Sequence, residues 1–337
     1  MNGMNEAILA VVQAQQGDAI PVDIPPMTQT APDMGKPPVT PKTKIGTMEE
    51  PRLWPKIRAI IEADIVNKPR NLQRELGPSE LGTDCLHCLA AKLAGWDQSK
   101  QPAWLPYTGT CLHEHFERLF SNPQIMYGGR IFDGPAPVEL NTAELNPLYC
   151  TEYTVTVGRL NGITGGYDIK GSIDLWDVAE GATIDWKYVG DNSTLKLAKA
   201  NGPSQTYRVQ ASLYGIGLRN EGVDVRRSCI YFLPRNSQTL KDAYPWEREF
   251  DEKPGMWALS RANLLANLLD VIELADGPRM RDSWIRQLPR SKAHCFDCNT
   301  WPDSTTLPEF DEQAWPEVPD QWMQLMPLLE PEYQSAE

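Results

Sequence analysis

Asp174, Asp185 and Lys187 lie in GSIDLWDVAEGATIDWKYV, whose alternating and β-branched residues predict one β-hairpin. With the turn at 178–181, position 174 falls opposite position 185. Asp185 then shares a face with Lys187, while Ile184 and Trp186 point the other way. Two carboxylates opposed across a hairpin, with Cβ atoms roughly 5 Å apart, repel each other. A divalent cation between them turns that repulsion into binding. An ammonium two residues along can then position a water or stabilise charge on a phosphate. That is the chemistry of metal-dependent phosphodiester hydrolysis. Solvated strand carboxylates are also common, so the hairpin alone is equally compatible with a plain charged face.

The elements around the hairpin carry further groups. In TGTCLHEHFERLF, His113 and Glu117 stand one turn apart on a predicted helix over 110–120. The imidazole can add a metal ligand, although a lone helical histidine is often a surface or core residue. In QASLY, Gln210 and Tyr214 are one turn apart on a predicted helix over 207–218, where an amide and a phenol can touch a nucleotide or brace the site. Glu152, on a predicted strand over 152–157, is a weaker candidate. Apolar spacing also predicts helices over 53–66 and 256–274, a helix from Cys85 or Cys88 through LAAKLAGW, and strands over 171–177, 183–188 and 228–233. This order implies an α/β fold, a mixed central sheet flanked by helices.

The chain has 337 residues and a net charge of -13, which argues against nucleic acid as a partner. Nine of the acidic residues lie between Trp301 and Glu337, where there is no Lys or Arg, leaving -4 for the rest. Elsewhere Arg226, Arg227, Arg235, Lys241, Arg279, Arg281, Arg286, Arg290 and Lys292 can line a groove without making the protein basic. Residues 1–48, rich in Pro, Thr and Gln, have little to bury and are expected to form a disordered arm. A nuclease-like domain is expected over 49–299. The Pro-rich segment 300–337 is expected to be a loosely ordered, solvated acidic tail, with Trp315, Trp322, Met323 and Leu325 as its possible docking residues. No apolar run approaches the roughly 20 residues of a bilayer span. With no basic stretch before the first short apolar segment, the expectation is a cytoplasmic protein, in a host cytoplasm if phage-encoded.

As an ordered set, GPSELGTDC, GTCLHEHFE, GSIDLW, TIDWK and QASLY resemble the RecB-type branch of the PD-(D/E)XK nucleases, which includes CRISPR-associated RecB-like and phage exonucleases. The resemblance spans 77 to about 299. It implies a restriction-endonuclease-like core that binds Mg2+ or Mn2+ through His113, Asp174 and Asp185. Lys187 would be the catalytic lysine, with Gln210 and Tyr214 as a QxxxY element near the DNA. The implied activity is exonucleolytic cleavage of DNA with a free end, in phage DNA processing or alongside host or phage recombination proteins. A restriction-type endonuclease, or a metal-stapled DNA-binding protein without turnover, are the alternatives.

The cysteines point to a second metal. Cys85-Leu-His-Cys88 and Cys295-Phe-Asp-Cys298 can each clamp a soft metal from a tight turn, and together they supply four thiolates. One metal would tie the start of the core to its end, closing a very long loop. Two such pairs are ordinary zinc spacing. The resemblance suggests a 4Fe-4S cluster instead, although its iron-sulfur members divide their cysteines one and three rather than two and two, so both metals stay open. His87 and His294 abut the clamps. Cys111, Cys150 and Cys229 have no partner spacing and are expected to be small core residues.

Overall fold

β-branched and aromatic residues at alternate positions build one five-stranded sheet, in the order β1-β2-β3-β4-β5. The strands are β1 (Tyr149–Asn161), β2 (Gly166–Asp177), β3 (Ala182–Val189), β4 (Arg227–Pro234) and β5 (Tyr244–Glu249). All neighbours are antiparallel except β3 and β4. That parallel pair needs a crossover, which α6 (Lys196–Asn201) and α7 (Gln205–Asn220) supply. Ahead of the sheet come α1 (Trp54–Asn67), α2 (Pro78–Leu81), α3 (Leu86–Leu93), α4 (Trp104–Phe120) and α5 (Pro123–Gly128). After it come α8 (Lys253–Asp276), α9 (Pro278–Gln287) and a last short turn, α10 (Asp320–Met323). The computed structural model describes residues 53–67, 75–99, 102–128, 146–190, 194–291, 295, 297–301 and 315–334. Its units are 1–52 and Leu53–Glu337, so the arm expected over 1–48 lies outside the described residues.

The sheet is covered on two sides. Val155, Val157, Ile169 and Ile173 pack with Leu213 and Leu218 of α7, Leu265 of α8 and Trp284 of α9. Leu175, Ile184 and Trp186 instead pack with Phe116 and Phe120 of α4. Gly171 lets α7 approach β2: a Cβ there would stand 2.9 Å from Tyr214 Cε1. Among the described helices none is long and apolar enough to cross a membrane.

Among the elements not expected from the sequence, an edge strand and a second C-terminal helix stand out. β5 (YPWERE) has a proline and four exposed residues, as an edge strand allows. α9 is split from α8 by Gly277, at φ 85°, followed by Pro278 at the new helix start.

The tail also departs from expectation. Residues 315–334 dock on the domain: Leu329 is buried, Trp322 Nε1 donates to Asp276 Oδ2 at 2.6 Å, and Trp284 Nε1 donates to the Trp322 carbonyl at 2.9 Å. Arg261 and Gln205 both donate to the Pro331 carbonyl at 3.0 Å, and Arg279 and Arg286 lie over the Trp315 ring. Net charge hid a short amphipathic segment whose Leu325, Met326 and Leu329 have an apolar surface to meet. Leu329→Ala is therefore expected to lower stability by about 2–4 kcal/mol, read as a fall in the thermal midpoint. A midpoint equal to wild type would mean that the tail packs no core.

Candidate functional site

β2 changes its environment at Asp174. Ile173 belongs to the core under α7, whereas Leu175, two residues on, belongs to the cluster under α4. Opposite this point in β1, the ladder passes from Thr151–Leu175 to Tyr153–Ile173 without pairing Glu152, which has φ 46°. A positive φ at a residue with a Cβ is a local irregularity, and it coincides with the break in ladder pairing at Glu152. On the other side, the β2–β3 ladder ends at Leu175–Ile184. The next step in that register would pair Asp174 with Asp185. There the Asp174 side chain takes the place of a strand carbonyl: its Oδ2 accepts the Trp186 N–H at 2.8 Å.

That kink gathers three ligating groups. Asp174 Oδ1 is 3.3 Å from His113 Nδ1, and single ligand atoms of His113, Glu152 and Asp174 all lie within 4.8 Å of one another. Ser172 Oγ donates to Glu152 Oε2 at 2.6 Å and steadies it. Burial pushes the Glu152 carboxyl up, more than the Ser172 hydrogen bond pulls it down. Burial opposes a charged His113, but the hydrogen bond to Asp174 and the charges of Asp174 and Asp185 outweigh it and raise the imidazole above its ordinary value. Such mutual dependence is what a cation relieves.

Asp185 and Lys187 form the second half. Lys187 Nζ stands 2.6 Å from Asp185 Oδ2, as an ion pair whose angle leaves that oxygen without an aligned donor. Asp185 is fully enclosed. Burial first, and then the neighbouring Asp174, push its carboxyl up to about 6 despite Lys187. Lys187 Nζ also donates to Gln210 Oε1 at 3.0 Å, and Gln210 Nε2 donates to Tyr214 Oη at 2.9 Å. The ammonium lies 4.7 Å from the centre of the Tyr207 ring, within cation–π range. Gln210 and Tyr214 are both buried. Of the two roles open to them from sequence, their burial favours bracing Lys187 over facing a ligand in solvent.

His113, Asp174, Asp185, Lys187, Gln210 and Tyr214 thus meet in one place. The tightest ligand group, however, uses Glu152, the weaker candidate, in place of Asp185, which is engaged by Lys187. Sequence reading also passed over Tyr207. Its spacing to Gln210 and Tyr214, three and then four residues, sets all three on one face of α7 and was the available signal. The nine basic residues do not form one groove: Arg281 is buried in ion pairs with Asp282 and Glu273, Arg279 and Arg286 cover Trp315, and Lys292 lies outside the described residues.

The four clamp cysteines also converge. Cys85 caps α3, and Cys298 opens a single 3₁₀ turn, Cys298–Thr300. Cys85 Sγ lies 3.3 Å from both Cys88 Sγ and Cys298 Sγ; Cys88 Sγ lies 3.5 Å from Cys298 and 3.6 Å from Cys295. Cys85, Cys88, Cys298 and the buried His87 could hold a metal ion. Hydrogen bonding from Cys88 holds the Cys85 thiol down to about 4, while burial raises Cys298 to about 12. Ser291 Oγ donates to Asp84 Oδ2 at 2.6 Å and Ser99 N to the Thr300 carbonyl at 2.7 Å, sewing the same two segments together. His294 lies outside the described residues. Of the other cysteines only Cys229 is buried; Cys150 is partly buried, and Cys111 is exposed, against expectation, because its side of α4 meets solvent.

No family model matches the chain, and no curated protein matches it. The crystal structure of SSO0001 is similar over 66% of this chain and 89% of its own, at 14% identity and a TM-score of 0.39. A similarity that weak carries no argument about fold or activity.

Proposed function

We propose that this protein is a metal-dependent DNA exonuclease built on a RecB-type PD-(D/E)XK core. The observation that carries the reading is the abutment of two groups: the His113–Glu152–Asp174 ligand cluster and the Asp185–Lys187 ion pair braced by Gln210. The donor set is two carboxylates and an imidazole with a third carboxylate beside them, a set that suits Mg2+ or Mn2+. Bound there, such an ion would polarise the scissile phosphate and lower the pKa of the attacking water.

The chain's own residues do the rest. Asp174, fixed through the Trp186 N–H, presents its other oxygen to the ligand cluster. His113 must shed the proton it shares with Asp174 before its Nδ1 can ligate. Lys187, braced by Gln210 and set against the Tyr207 ring, supplies a pre-aimed positive charge for the negative charge that develops on the phosphate.

The titrations give a pH signature. The folded Asp185 carboxyl lies near 6, above its ordinary 3.8, so its contribution to stability is present below 3.8 and is lost as pH rises through about 6. His113, raised from 6.5, loses its contribution in the same direction at higher pH. The metal-free protein should therefore lose stability at this site between about pH 4 and 8, and Mg2+ should restore it by binding the deprotonated groups. Thermal melts should show a Mg2+-induced rise at about pH 8 that is much smaller at about pH 5. Equal rises at both would sink the assignment of His113 to the ion site and of Asp185 to its edge.

The direct test is cleavage of end-labelled linear and covalently closed DNA with Mg2+, Mn2+ or EDTA. Metal-dependent loss of linear DNA alone is expected. Cutting of closed circles would replace the exonuclease with an endonuclease. No cleavage under any condition would leave a DNA-binding protein without turnover.

A further inference from the structure

We infer that the four clamp cysteines hold a single tetrahedral zinc ion, and not the iron-sulfur cluster that the family resemblance implies. The inference rests on sulfur geometry alone and stands whether or not the hairpin site hydrolyses DNA.

Zinc–sulfur bonds of about 2.3 Å in a tetrahedron set the sulfurs about 3.8 Å apart. Four of the six edges here measure 3.3, 3.3, 3.5 and 3.6 Å. Along these four edges the sulfurs need open by only a few tenths of an ångström to reach the corners of a one-ion site. A 4Fe-4S cubane takes one thiolate on each of four irons, so its own iron–iron edges add to the spacing and push the cysteine sulfurs far outside this range. Three thiols in mutual contact, Cys85, Cys88 and Cys298, with Cys295 against Cys88, leave no room for it.

The surroundings agree. A structural zinc site is closed, four-coordinate and made of local pairs, commonly a C-x₂-C from each of two segments. Here one pair sits at the start of α3, and the other runs into the Cys298–Thr300 turn. Cys298 and Cys85 are buried, and His87 fills the wall beside them, its ring edge-on to Trp96 at 5.8 Å. Cys295 supplies the fourth thiolate through its 3.6 Å edge to Cys88, while the buried His87, within 4.8 Å of the other three sulfurs, stands beside the site. Among one-ion occupants, thiolate sites favour zinc over ferrous iron in affinity. A zinc-held clamp changes no oxidation state, so the core would be tied by a redox-inert staple.

Metal and acid-labile sulfide are to be measured on full-length protein purified anaerobically from medium holding both iron and zinc. Roughly one zinc per chain is expected, with no sulfide and no broad absorption in the near-visible. Growth with cobalt should give the visible bands of tetrahedral thiolate-bound Co2+. Asp174→Asn should keep the full zinc content, and Cys88→Ser should lose most of it. Iron and sulfide in near-equal amounts would overturn the inference, as would one iron per chain, or zinc retained in full by Cys88→Ser. The wild-type assay decides the matter even if Cys88→Ser does not fold.

Discussion

Asp174→Asn is expected to lower DNA cleavage by about 10²–10³-fold or more while the fold stays intact. The carboxylate does two jobs. Oδ2 accepts the Trp186 N–H where β2 and β3 part, and Oδ1 faces His113. Asparagine keeps a carbonyl oxygen for Trp186, so the strand split survives. It withdraws the negative charge that a cation needs and that holds the His113 imidazole above its ordinary value. The loss of rate should therefore come with weaker Mg2+ binding, a lower His113 pKa by NMR, and a thermal midpoint within a few degrees of wild type. Replacing Lys187 is a less clean test, because it strands a buried Asp185 without its partner. Normal cleavage by Asp174→Asn, under metal concentrations that saturate the wild type, would remove the hairpin from the active site.

Cys298→Ser should have the largest effect on stability. Cys88 and Cys295 are 207 residues apart, so a metal held by both would close most of the domain into one loop. In the chain-entropy account a cross-link over that length is worth about 5 kcal/mol, offset in part by the polar contacts that already join the two segments. A loss of about 3–5 kcal/mol is expected, which for a domain this size lowers the midpoint by roughly 10 °C or more. A chelator strong enough to strip the metal should bring wild type to the same midpoint and leave Cys298→Ser unmoved. If the variant melts like wild type, the cysteines hold nothing that matters to folding. The two substitutions would separate the two proposed metal sites: the first should spare stability and end the proposed cleavage, the second should undermine stability with the hairpin residues untouched.

The pairing of the cysteines was readable because its information is local. Each C-x-x-C is a single turn, and only the meeting of the two turns needed the fold. The same holds for the hairpin, whose period of two and short turn set the strand ends and the register of Asp174 against Asp185 before any tertiary contact is considered. Helix period likewise set Gln210 and Tyr214 on one face of α7, along with the long α8.

What sequence alone could not decide depends on the chain meeting itself at long range. Glu152, only a weaker candidate from sequence, joins the tightest ligand group at a positive φ in β1 that no residue type announced. Asp185 turns to Lys187 and leaves the tighter ligand group because it is buried and the partly buried ammonium stands 2.6 Å from it. The tail packs although its composition reads as solvated, since charge totals do not see three apolar side chains meeting Trp284 and α8. Even the choice between one ion and a cluster, left open by cysteine spacing, turns on how closely two turns more than 200 residues apart bring their sulfurs together. Local periodicity sets which residues can face one another; the packing of α4, α7 and the sheet sets the distances, and distances decide coordination.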